Sequence, residues 1–304
     1  MIIQRVRDFF LAVFSLRLLT AEVRRLLKAA EQNVELQRFQ ALANAEREYR
    51  RFADACRDVD PRRLEHYGMQ QFSQNDEDGI LAEIFRRIGT TNHTFVEFGV
   101  KNGTECNTVS LLIQGWNGLW IDGSTDASKE QQRVFRRWVE SGNLRCANQL
   151  LTRDNIDSVI TSSGVTGEID LLSIDVDGND LTLWQAITCV KPRVVVIEYN
   201  GWIAPPVQWC LPYDPKHVWD GQSIALSASL EAMTVDARKR GYELVACNII
   251  GLNAFFVRSD LCEEHFASDR SPLALYHPRR YWLDMIFRRN TNTILRDAID
   301  GIPN

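Results

Sequence analysis

The stretch that most constrains the fold of this chain is Thr94–Gly103, T-F-V-E-F-G-V-K-N-G. Apolar and β-branched residues run into Glu97 and then into two glycines, Gly99 and Gly103. This predicts a strand that ends in a glycine turn, with a helix opening near Thr104. Glycine lacks a Cβ, so the turn can bring its backbone close to a ligand. A strand, turn and helix of this kind build a nucleotide-type crevice at the carboxyl end of a sheet. The spacing is E-x-G-x-x-x-G. It is neither the G-x-G-x-x-G of dinucleotide binders nor a P-loop, and no lysine follows the second glycine to neutralise phosphates. A small, weakly charged nucleoside fits better than a triphosphate.

Three more segments end in the same way. Gly118–Ser124, G-L-W-I-D-G-S, closes on Asp122, about twenty residues past the glycine turn, where an acidic side chain accepts hydrogen bonds from ribose hydroxyls. An Asp before Gly-Ser is equally a turn former. Ser173–Asp180, S-I-D-V-D-G-N-D, follows an apolar run and carries Asp175, Asp177 and Asp180. Carboxylates this close repel one another unless a cation, a proton or a cationic ligand lies among them. D-G-N-D also suits a tight turn with Asp180 as a helix N-cap. Pro192–Asn200, P-R-V-V-V-I-E-Y-N, has the continuous apolar run of a strand buried on both faces of a parallel sheet, and it ends in Glu198 and Asn200. Four predicted strands thus deliver polar tips to one edge of an α/β sheet.

Together these motifs resemble the class I S-adenosylmethionine-dependent methyltransferases, and more narrowly the FkbM-type group associated with glycan modification. S-Q-N-D-E-D-G-I-L (Ser73–Leu81), G-Y-E-L-V-A-C-N and N-A-F-F-V-R extend the resemblance over roughly Gln71 to Leu261. It implies a Rossmann-like, mostly parallel seven-stranded sheet with helices on both faces, and S-adenosyl-L-methionine as cofactor. Glu97, Gly99, Asn102 and Gly103 would line the methionine part of the cofactor, with Asp175 nearby. Asp122 would hold the ribose, with Gly123 and Ser124 beside it. Asn148, Gln149 and Leu150 are candidates for the adenine pocket. Gln74 and Glu77 would reach the cofactor from the other side, or else cap a helix after Ser73.

The reaction implied is O-methylation of a sugar hydroxyl in a bacterial surface polysaccharide or related glycan. Methylation of a small secondary metabolite and a non-catalytic cofactor-binding scaffold are the alternatives. An alcohol acceptor needs a base or a metal to take its proton. Asp177 and Glu198 occupy the places where metal-dependent sugar methyltransferases carry carboxylates, and Asn200 would complete an all-oxygen set suited to Mg²⁺. The E-Y-N ending departs from the two adjacent acidic residues of those relatives. Asp177, Asp180 and His217 are the candidate bases. His217 lies in Gly201–Gln222, a segment with four prolines and three tryptophans that reads as a cover over the site. Trp202, Trp209 and Trp219 could stack on sugar faces or anchor the loop.

The chain divides into residues 1–60, a helical extension, and residues 61–304, the methyltransferase domain. No proline or glycine occurs before Pro61, and Val6, Phe10, Phe14, Leu18, Val23 and Leu27 recur at helical spacing. The first thirty residues hold six basic side chains against two acidic ones. Such a helix can lie on an anionic membrane surface, pair with a second copy in a homo-oligomer, or pack on its own domain. The net charge of −5 argues against nucleic acid as a partner. Seven cysteines without C-x-x-C spacing point to free thiols in a cytoplasmic protein, held at most at the inner face of the membrane. Acceptor expectations are a glycan or a sugar-containing small molecule.

Overall fold

The computed structural model describes residues 2–287, with side chains for Gln4 and for residues 22–287. The chain forms two compact units, Met1–Glu48 and Tyr49–Asn304. The sequence before Pro61 reads as one or two long helices, and it forms one, α1 (Ile2–Val59), of 58 residues with no Gly or Pro to break it. Val6, Phe10, Phe14 and Leu18 lie outside the described side chains. Val23 and Leu27 are exposed, as are Val34 and Phe39. No helix among the described residues is long and apolar enough to cross a membrane.

The second unit is a seven-stranded sheet with helices. In chain order it runs α2 (Glu77–Ile88), β1 (Thr94–Phe98), α3 (Val109–Ile113), β2 (Asn117–Asp122), α4 (Thr125–Val134), α5 (Arg136–Glu140) and β3 (Leu144–Asn148). It continues through α6 (Ile156–Ser162), β4 (Gly167–Ile174), α7 (Asp180–Ala186), β5 (Val190–Glu198), α8 (Leu230–Lys239), β6 (Tyr242–Cys247) and β7 (Asn253–Arg258). The strand order is β3-β2-β1-β4-β5-β7-β6. All pairings are parallel except those of β7, which runs antiparallel to β5 and β6. From β1 the chain steps outward to β2 and β3, then returns to lay β4 on the other side of β1. The order reverses between β1 and β4, and ligands of open α/β sheets bind outside the carboxyl ends of the strands at such a point.

Strand alternation sorts the core into two layers. Val96, Phe98, Leu119, Ile121, Leu172 and Ile174 pack on one face. Phe95, Trp120, Leu171, Val194 and Val196 pack on the other. Each such buried side chain is worth about 1.5–3 kcal/mol relative to exposure. At the opposite edge of the sheet, buried Asp170 accepts from the backbone of Thr91, Asn92 and His93 and pairs with Arg193 at 2.8 Å.

Three boundaries differ from the sequence reading. The sequence over Ser128–Ser141 reads as one helix, but the chain forms two, broken at Phe135, whose ring is fully buried edge-on to Trp120 at 4.7 Å. Burial of that ring outweighs helical continuity. The sequence over Arg145–Leu151 reads as the third strand, but that strand stops at Asn148, because β2 offers partners only as far as Asp122. The helix after the glycine turn starts at Val109, not near Thr104, for a reason that lies in Glu97.

Candidate functional site

Glu97 points into the layer that holds Trp120, its register partner on β2. It is buried, and its carboxylate accepts from the backbone amides of Asn107 and Thr108 and from the hydroxyls of Thr108 and Ser173. The Trp120 indole in turn donates to the Thr108 hydroxyl at 2.8 Å. These bonds hold the chain from Gly99 to Thr108 as an irregular loop, so helix α3 opens late. Burial pushes the Glu97 carboxyl up to about 7, with the Thr108 and Asn107 bonds opposing the shift.

Both glycines are required, but not for the reason the sequence suggested. A Cβ on Gly99 (φ +73°) would lie 1.6 Å from the Asp175 carbonyl oxygen. A Cβ on Gly103 (φ +84°) would strike the rings of Phe135 and Trp120 at 2.7 Å. The close approaches are to β4 and to the core. They bring the turn down against the end of β4, and the cleft forms above that junction. Asn102 closes the turn by accepting from Thr104.

Asp122 braces this loop from the side. One carboxylate oxygen accepts from the Lys101 amide and the other from the Ser124 amide, both at 2.7 Å. Ser124 caps α4, Gly123 packs on Leu150, and Asn148 bonds Thr125 and the Asp122 carbonyl. None of these four lines the main cleft. From the same region Asp126 and Glu130 do. Glu77 is wholly interior: it accepts from Asn248 and Asn253 of the β6–β7 hairpin and from the Asn75 amide. Gln74 does reach the cleft.

The acidic cluster forms with one change of membership. Single carboxylate oxygens of Asp175, Asp177 and Glu198 lie within 4.8 Å of one another. Asp177 arrives there with φ +55°, beyond the end of β4, so strand alternation is not what aims it. Asn200 is not part of the group. Its amide donates to the Ile224 and Leu226 carbonyls and accepts from Trp202, which pins the ends of the proline-rich loop. Asp180 is also withdrawn: fully buried, it accepts from the amides of Val176 and Gly178 and so holds the turn that carries Asp177. His217 packs against Gly178, close enough that a Cβ there would meet its ring at 2.5 Å, and lines neither cavity of the site.

Two cavities meet over the junction of β1 and β4. The larger, about 380 Å³, is walled by the Glu97–Asn107 loop, Asp126, Glu130, Gln74 and Asp175. The smaller, about 110 Å³, is walled by Asp175, Asp177, Glu198, Trp202, Trp219 and Tyr281. Gln74, Lys101 and Asp175 border both. Lys101 is a site residue outside the sequence expectations: it precedes the second glycine, where a phosphate-binding lysine would follow it. Burial pulls its ammonium down, but Asp175, Asp177, Glu198 and Glu105 together push it up, so it stays charged. The carboxyls respond in kind. Burial, then the charges of Asp177 and Asp180, raises Asp175. Burial, then Asp175, Asp180 and Asp177, raises Glu198 as well, and its Oε2 is buried without a hydrogen-bond partner among the described residues.

No family model matches the chain, and no curated protein does. Solved structures show distant likeness. PKMT2 from Rickettsia typhi is 13% identical with a TM-score of 0.31, over 44% of this chain and only 28% of its own length. An S-adenosylmethionine-dependent methyltransferase from Clostridium acetobutylicum is 12% identical with a TM-score of 0.36, over 58% of this chain and 88% of that one. The N-terminal domain of EvdMO1 with SAH bound is 13% identical with a TM-score of 0.39, over 68% and 94%. Likeness at this level is too distant to assign an activity.

Proposed function

We propose that the chain is an S-adenosylmethionine-dependent O-methyltransferase acting on a sugar hydroxyl of a glycan. The observation that carries this reading is the pair of cavities sharing Gln74, Lys101 and Asp175 at the β1–β4 reversal. The larger cavity has the size of a small-molecule site, and its wall is the E-x-G-x-x-x-G turn that carries the family resemblance. The smaller opens beside it with a base at hand. S-adenosylmethionine, when bound, supplies an electrophilic methyl group. The chain's own part is to align donor and acceptor. The turn from Gly99 to Asn102 holds the donor, and Asp175 and Lys101 stand where the two cavities meet. Asp177 takes the proton of the acceptor hydroxyl. Asp180 positions Asp177 through the turn and takes no proton.

A divalent cation suits the same carboxylates. Asp175, Asp177 and Glu198 would each offer one oxygen to Mg²⁺, and the orphaned Glu198 Oε2 would gain a partner. The ion would acidify a bound hydroxyl. Lys101 favours a second version of the reading, in which its ammonium is the cluster's counter-charge and no metal is needed.

Calorimetry with S-adenosylmethionine and S-adenosylhomocysteine, followed by methyl transfer to glycan acceptors with and without EDTA, tests both points. Binding with turnover is the expected result, and loss of turnover in EDTA selects the cation. Binding with no product on any acceptor would favour a cofactor-holding scaffold, and no binding would end the proposal.

A further inference from the structure

The smaller cavity carries more information than the presence of a second substrate. Its inner end is polar and incompletely satisfied. Glu198 is only 9% exposed, borders the cavity, and has one oxygen with no partner among the described residues. A buried oxygen of this kind calls for a hydrogen-bonding group from a ligand. Its outer end is aromatic. Trp202 and Tyr281, each about half exposed, stand with ring centroids 5.4 Å apart. Arg279 lies 4.3 Å over the Tyr281 ring and is itself fixed by two bonds to Asp284. Trp219 lines the same space, its indole N–H engaged by the Ser223 carbonyl, which leaves the ring as its contribution. Aromatic faces at the mouth and hydroxyl-seeking carboxyls within match a molecule with a C–H face and a hydroxyl-rich edge.

Size and charge narrow the class. A space of about 110 Å³ holds one ring and not a chain of them. Three carboxylates border it, the Arg279 fork is already closed on Asp284, and the Lys101 ammonium that also borders it faces Asp175, Asp177 and Glu198. Recognition of a phosphate or carboxylate calls for a cation not already matched by the protein's own carboxylates.

We propose that this cavity is an acceptor subsite for one neutral pyranose ring, with Trp202 and Tyr281 as its platform and Glu198 as a hydroxyl partner. The idea rests on the methyltransferase reading for its role but not for its existence. Nucleotide sugars and uronic acids are excluded acceptors, and neutral glycan ends or simple glycosides are admitted ones.

The test is titration of the full chain, with and without saturating S-adenosylhomocysteine, with methyl α-glucopyranoside, methyl α-mannopyranoside and methyl α-galactopyranoside. Glucuronic acid and UDP-glucose are the charged comparisons, and saturation-transfer NMR is the readout. At least one neutral glycoside should bind. Trp202→Ala and Tyr281→Ala should each weaken it about two- to tenfold, the loss of one aromatic contact. Trp202→Phe should keep most of the affinity, which separates stacking from misfolding. Affinity for S-adenosylhomocysteine should be the same in all variants. Glycoside binding indifferent to both aromatic positions, tighter binding of UDP-glucose or glucuronic acid, or no glycoside binding would overturn the subsite. Absence of S-adenosylhomocysteine binding alongside Trp202-dependent glycoside binding would instead sink the methyltransferase reading and leave the subsite standing.

Discussion

Gly99 Cα sits so close to the end of β4 that a single added carbon would lie 1.6 Å from the Asp175 carbonyl oxygen. The contact ties the glycine turn of β1 to the acidic segment of β4, and so joins the two cavities at their common wall. Gly99→Ala would have to relieve both that overlap and a φ of +73°. A side chain there strains the backbone by about 1–2 kcal/mol before any clash is counted. The variant should melt several degrees lower and lose S-adenosylhomocysteine binding in calorimetry. Unchanged affinity would detach the turn from the cofactor.

Asp177 and Asp180 are both candidate bases by sequence, with a turn-capping role open to Asp180 alone, and the structure gives them different work. Asp180→Ala strips two buried amides, of Val176 and Gly178, of their acceptor. Each such loss costs about 1–3 kcal/mol, so the variant should be clearly less stable in urea unfolding. Asp177→Asn should unfold like the parent chain while methyl transfer falls about a hundredfold or more. A stable, inactive Asp180→Ala with an active Asp177→Asn would reverse the two roles.

Which parts of this site could be read from the sequence depends on what kind of force places each residue. Hydrophobic runs locate strands, and strand ends locate Glu97, Asp122, Asp175 and Glu198 at one edge, because burial and the sheet's topology act on whole segments. Hydrogen-bond direction acts on single atoms. D-G-N-D signals a turn, but not that Asp180 reaches back to the Val176 and Gly178 amides while Asn179 takes the N-cap place, and nothing in E-Y-N says that Asn200 reaches the Ile224 and Leu226 carbonyls, since those partners are set by the path of a long loop. Phe135 broke a helix of ordinary propensity because Trp120 offered it an enclosed place. Lys101 carries a visible signal, a cation inside the glycine turn, but its partners are carboxylates brought there by β4 and β5, which only the sheet order makes its neighbours.

Lys101 bears four carboxylate neighbours that hold its proton on despite burial. If its ammonium is the cluster's counter-charge, Lys101→Met should leave Asp175, Asp177 and Glu198 more strongly self-repelling and more receptive to a divalent ion. Added Mg²⁺ should then raise the melting temperature of the variant more than that of the parent chain. An equal response in both would mean that the lysine does not serve the cluster.

The buried Glu97 carboxyl sets a pH dependence whose sign is fixed by the direction of its shift. Its folded value is about 7 against an ordinary 4.5. Below about pH 4 it is protonated in both states, so its contribution to stability is fully present. Between pH 4 and 7 the unfolded chain ionises while the folded chain does not, and stability drains away as pH rises; above pH 7 both are ionised and the loss is constant. At about 1.4 kcal/mol per unit the change is at most about 3 kcal/mol. Asp175 and Glu198 are raised as well and act with the same sign. Glu97→Gln keeps a polar group at this position but does not titrate. It should be less stable than the parent at pH 5, where it lacks the full set of bonds to Asn107, Thr108 and Ser173, and the difference should narrow at pH 8. Urea unfolding at the two pH values measures this directly, and a difference that stays the same at pH 5 and pH 8 would show that Glu97 is ionised in the folded chain throughout and held by those donors.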